Sequence, residues 1–133
     1  MRYRNLIAVL VVLVTLLCGC TNDVLSSSHA TRADAADTIS RGWIPAVLPA
    51  SATEIHETHN LDSNTGHGTF RFDVSDMHSF QAALLPIPVN QSVIARSRDE
   101  LESFGYVFYT HGNFDIAVNW EDRTGQFWLG QKK

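Results

Sequence analysis

The sequence predicts an α+β domain, a two-layer sandwich in which an antiparallel sheet of about five strands carries two short helices on one face. Three observations predict it. Thr69-Phe70-Arg71-Phe72-Asp73-Val74 alternates polar and apolar residues with period two, and Phe114 to Trp120 sets Phe114, Ile116, Val118 and Trp120 against Asp115, Ala117 and Asn119. Between these strands Met77, Phe80 and Leu84 recur at helical spacing. The elements read in the order β-β-α-α-β-β-β.

The first landmark of the domain is Gly42-Trp43-Ile44-Pro45-Ala46-Val47-Leu48-Pro49. Two prolines four apart forbid a long helix, so Trp43, Ile44, Val47 and Leu48 are expected to close one end of the core. Ala52 to Asn60 follows as a polar strand with Ile55 as its apolar member, and Leu61-Asp62-Ser63-Asn64-Thr65-Gly66 carries turn chemistry. The turn feeds the Phe70 strand, with Phe70, Phe72 and Val74 inward, and the pair is read as a hairpin.

Ser75 is placed to cap the Met77 helix, with Asp76 in its first turn, and Pro86 and Pro88 stop that helix. Ser97-Arg98-Asp99-Glu100 has the capping-box spacing and opens a second helix that carries Leu101 and Phe104 and ends at Gly105. Tyr106 to Thr110 is the next strand, His111-Gly112-Asn113 a turn, and Asp122-Arg123-Thr124-Gly125 a turn with glycine in the left-handed position. Gln126 to Gln131 returns as the last strand.

The N-terminal region has a different character. Arg2 and Arg4 precede the apolar run LIAVLVVLVTLL, which is about twelve residues long where a membrane-spanning helix needs roughly 20. The run ends in Leu17-Cys18-Gly19-Cys20, which resembles the bacterial lipoprotein signal, with Cys20 as the lipid acceptor. The resemblance implies a signal peptide over residues 1–19, lipidation at Cys20, attachment to the membrane through that lipid, and a domain facing the periplasm. Thr21 rather than aspartate after the cysteine implies sorting to the outer membrane.

Residues 20–40, rich in Ser, Thr, Asp and Ala, then read as a lipidated flexible tether that spans about 25 Å as a random coil. The single small domain occupies 41–133.

The whole chain has a net charge of −4, and removing Arg2 and Arg4 leaves eight basic residues against fourteen acidic, a net charge of −6. No basic stripe is present, which argues against nucleic acid as a partner. Both cysteines lie in the signal, so no thiol is left for a disulfide, a metal or a nucleophile once Cys20 is acylated.

Chemistry-bearing motifs are sparse. His56, His59 and His67, with Glu54, Glu57 and Asp62 nearby, are the only metal candidates, and 56 and 59 point to opposite faces of a regular strand. Asn60-x-Asp62-x-Asn64 lacks the glycine and glutamate of a calcium loop. No Gly-x-Ser-x-Gly elbow occurs. No cofactor and no catalytic residue is therefore assigned.

In Phe127-Trp128-Leu129 both faces of the last strand are apolar, so with Phe127 and Leu129 inward Trp128 faces out, and Tyr109 sits in another strand apolar on both sides. These residues define a partner-binding patch for an envelope protein or glycan.

Gly42-Trp43-Ile44-Pro45, Leu48-Pro49, Ser51-Ala52, Ile55, His59-Asn60-Leu61-Asp62 and Asn64, followed by the Phe70 strand, resemble a small family of bacterial envelope proteins with a YbbD-type head domain. The resemblance implies the hairpin around Asp62 and a turn from His59 to Asn64 shaped for a purpose, so His59, Asp62 and Asn64 join Trp128 and Tyr109 as partner-binding candidates. The function expected is that of a non-enzymatic binding module. The alternatives are an inhibitor or immunity protein against a toxin or wall hydrolase, and a metal-assisted hydrolase using His56, His59 and His67.

Overall fold

A computed structural model describes residues 23–94 and 97–130. The signal peptide read at 1–19 and the lipidation read at Cys20 lie outside the described residues. The described chain is built on one antiparallel sheet of seven strands: β1 (Val24–Thr31), β2 (Thr53–Asn60), β3 (Thr65–Arg71), β4 (Leu85–Pro86), β5 (Val107–His111), β6 (Phe114–Asn119) and β7 (Thr124–Leu129). Their spatial order is β1-β2-β3-β7-β6-β5-β4. Three short helices interrupt them: α1 (Ala36–Ser40), α2 (Met77–Ala83) and α3 (Arg98–Ser103).

This bears out an α+β chain dominated by an antiparallel sheet and corrects the expected strand count and order. One added strand, β4, is a two-residue edge that pairs Leu85 with Thr110 and Pro86 with Tyr109. The other is β1, which lies inside the segment expected to be a flexible tether. Its serines find cross-strand partners on β2: Ser26 Oγ is 2.8 Å from Thr58 Oγ1, and Ser28 Oγ is 2.9 Å from His56 Nδ1. Low hydrophobicity concealed β1 because it is an edge strand secured by main-chain ladder bonds and hydroxyl contacts more than by burial.

The helices also fail to share one face. Alternate residues of β6 separate two cores: Ile116 and Val118 join Phe70, Phe127, Ile44, Leu48 and Ile55 on one side. Ala117 joins Phe108 and Ile87 on the other. The main core is covered by α1, the Trp43 to Pro49 segment and α2, whose Phe80 packs edge-on against Phe72 at 5.4 Å and Phe70 at 5.9 Å. The minor core is covered by Ile87, Val93 and Leu101 of α3. Ile44, Pro45, Leu48 and Pro49 are buried, as the proline spacing predicts.

Local capping departs from the sequence reading. Asp73, not Ser75, caps the turn before α2: its carboxylate accepts from the Ser75 N–H at 2.9 Å. Val74 is thereby turned outward and is 62% exposed. Ser97 stands at the N-cap of α3 but its side chain makes no cap bond. Phe104, expected on the apolar face of α3, is exposed just past its end, where Gly105 takes φ +86°.

In the β6–β7 turn the left-handed residue is Arg123 (φ +54°), not Gly125. Gly125 belongs to β7 for a packing reason. A Cβ there would fall 2.1 Å from Phe70 Cζ, so the ring rests on bare backbone.

Candidate functional site

A broad concave surface lies on the minor-core side, where α3 ends and the β3–β7 half of the sheet is left without a helix. It is a groove of about 590 Å³ with His67 of β3 and Gln126 and Trp128 of β7 along the sheet, and Ile94, Ser97, Glu100, Leu101 and Phe104 beyond them. Its polar and aromatic residues arise from sheet pairing. His67 lies opposite Trp128, and Thr69 opposite Gln126, so their side chains alternate along one face.

A second, smaller hollow of about 230 Å³ also uses Gln126 and continues along the same face past His56, Arg71, Tyr106 and Thr124. Trp128 is half-buried, its ring stacked on Phe108 at 6.0 Å, and Arg98 lies over the same Phe108 ring at 5.2 Å. Trp128 therefore presents part of its ring to the groove instead of standing free.

A second constellation is buried on the opposite side. Glu57 is 2% exposed on β2, and its carboxylate accepts from Ser27 Oγ at 2.9 Å and from His59 Nδ1 at 2.5 Å. With the Ser27 proton committed to Glu57, His29 Nε2 must donate to Ser27 Oγ at 3.0 Å, and Thr38 Oγ1 lies 3.3 Å from the same nitrogen. Trp43 stacks on His59 with centroids 4.0 Å apart and planes 11° from parallel. These contacts tie β1, α1 and the Trp43 segment to β2. They do not form a nucleophile relay, because such a relay needs an imidazole that accepts the serine proton, whereas Ser27 gives its proton to Glu57 and His29 acts on Ser27 as a donor.

The structure separates the residues that the sequence grouped. His59 lies on the main-core face, paired across the ladder with Leu25 and Gly66, while His56 and His67 project from the other face. The three cannot share one ion. Among the described residues, no group of three or more His, Cys, Asp or Glu is placed to hold a metal.

Tyr109 is 5% exposed in the main core, where its hydroxyl accepts from Trp120 Nε1 at 2.9 Å, so it is no surface for a partner. His59 is held under Trp43 and is likewise unavailable. Asp62 and Asn64 are exposed in the β2–β3 turn, as expected, with Asn64 at φ +51°. Of the expected patch, only Trp128 lines the groove; Asp62 and Asn64 lie at the end of the sheet.

Sequence reasoning missed Ser97, Glu100, Phe104 and Gln126 as groove residues, and no spacing marks them before the sheet order is known. The Glu57–His59 pair had a signal, since residues two apart on a strand share a face and Ile55 fixes that face as the buried one.

No curated protein and no solved structure matches the chain. A family-model match falls on the half of the sheet that begins with β1. The family model described as YbbD head domain covers residues 23–71, the span of β1, α1, β2 and β3, which bears out the resemblance seen around Trp43 and Asp62 and places its start at the edge strand.

Proposed function

We propose that this chain is an envelope lipoprotein, anchored through Cys20, whose periplasmic domain is a non-enzymatic binding module that takes its partner in the groove beside α3. The observation that supports this reading is the groove itself. It combines an exposed aromatic ring, Phe104 at 66%, with a half-buried Trp128 and a convergent polar set, His67, Glu100 and Gln126. Recognition sites commonly join a few aromatic anchors to a small number of polar groups that fix orientation.

A photo-cross-linking amino acid at position 104, incorporated in cells, tests it. A discrete adduct from position 104, absent when the same group replaces the equally exposed Val74 outside the groove, supports the reading. Identical labelling from both positions, or none from either, overturns it. Metabolic labelling with a radioactive fatty acid, lost in Cys20→Ser, tests the anchor.

A further inference from the structure

The order of β1 changes how the domain sits relative to its anchor. We infer that the end of the sheet carrying Val24, Leu25 and Leu61 rests directly on the lipid surface. This rests on the reading of Cys20 as the lipidated residue.

Four peptide steps separate Cys20 from Val24, so their Cα atoms lie within about 14 Å whatever path the chain takes, at 3.3–3.6 Å per residue. A 20-residue coil would have given about 25 Å of slack. Because β1 starts at Val24, that slack does not exist.

The sheet end brought to the surface is suited to lipid. Val24, Leu25 and Leu61 are 44%, 46% and 51% exposed. Val24 pairs with Asn60 and Leu25 with His59, and the Leu61 N–H donates to the Asp23 carbonyl at 2.9 Å, so the three sit at one corner. Trp43, stacked over His59, is the half-buried aromatic beside Leu25, a residue type enriched at membrane–water interfaces.

Asp23 and Asp62 also lie at this end. The contact is made by the three apolar side chains, and a neutral bilayer, which does not repel the two carboxylates, suffices for it.

The chain beginning at Cys20 has that residue as its only cysteine. It can be coupled through it to a maleimide lipid in phosphatidylcholine vesicles, or to a water-soluble maleimide as reference. Hydrogen exchange by mass spectrometry then reads the surface. On vesicles the turn amides of residues 61–65 should slow about fivefold or more, while those of 121–123 at the far end of the sheet stay unchanged. The double variant Leu25→Ser, Leu61→Ser, still coupled, should lose the slowing.

Equal exchange of 61–65 on and off vesicles overturns the inference. So does slowing in the soluble conjugate that grows with protein concentration, which would identify a second copy of the chain as the occupant. The mass of protein purified from bacterial membranes tests the anchor separately. An unmodified Cys20 there refutes the lipidation reading, whereas the vesicle result reports only on docking.

Discussion

Glu57 and His59, two residues apart on β2, point the same way into the main core, where the imidazole Nδ1 donates to a carboxylate that is otherwise shielded from water. The pair converts a polar strand into a fastening point. Ser27 on β1 donates to the same carboxylate, and Trp43 lies flat on the imidazole. Within the span that matches the YbbD head domain, the edge strand β1 is thus fastened to β2 by polar groups and one stacked ring, while Ile55 of β2 and Phe70 of β3 join the apolar core of β6 and β7.

Replacing Glu57 by Ala should destabilise the domain by about 3 kcal/mol, because Ser27 and His59 lose their shared acceptor in a buried setting. Chemical denaturation checks this. Ser28→Ala, at the exposed His56 contact, should cost no more than about 0.5 kcal/mol.

Removing residues 21–40 is expected to leave β2 as an open edge and to strip the main core of Ala35, which is fully buried, and of the packing of Ile39. A chain starting at Arg41, the boundary that composition suggests, should be aggregation-prone or unfolded. One starting at Thr21 should fold. Circular dichroism and size exclusion of the two separate these outcomes.

The contrast shows which parts of the fold can be read from a sequence. Phe70, Phe72, Ile116 and Val118 announce their strands through period-two burial, and Met77, Phe80 and Leu84 announce α2 through helical spacing. Strand β1 (VLSSSHAT) has no such pattern: its cohesion comes from ladder bonds to β2 and from Ser27 reaching Glu57. The split of the helices between two faces was hidden for a related reason. β6 is buried on both sides, so its alternation shows which residues go together but not which face the helices cover. The groove depends on β7 lying beside β3, a pairing between strands more than fifty residues apart.

Two glycines should respond very differently to alanine. At Gly68 a Cβ would meet the His56 carbonyl oxygen at 2.2 Å and Phe127 Cζ at 2.3 Å, and the backbone oxygen cannot swing away. Gly68→Ala should cost about 3 kcal/mol or more. Gly112, at φ +57° with open space around it, carries only conformational strain, so Gly112→Ala should cost about 1 kcal/mol. Thermal melts of the two variants order them.

Asp73 supplies the pH dependence. The Ser75 backbone N–H, then the Ser75 hydroxyl, hold its carboxyl below the ordinary 3.8 against a slight opposing effect of desolvation, and Arg123 adds the smallest lowering contribution. A carboxyl whose native value is depressed contributes stability that is fully present above its unfolded value and lost as pH falls through the native one. Asp73→Asn should therefore flatten the acid side of the stability profile below about pH 3.8 and leave it unchanged in shape near neutrality. Stability measured from pH 2 to 7 in both proteins checks this.

Trp128 and Phe104 both line the groove, yet they separate binding from stability. Trp128 stacks on Phe108 within the minor core, so Trp128→Ala should lower stability by about 3 kcal/mol and confound any binding loss. Phe104 is 66% exposed at the end of α3. Phe104→Ser should change stability by less than about 1 kcal/mol, and it removes the aromatic wall of the groove. If the groove takes the partner, Phe104→Ser weakens its capture about tenfold or more with an unchanged denaturation midpoint. Unaltered capture by a Phe104→Ser protein of native stability would remove the groove from consideration as the binding surface.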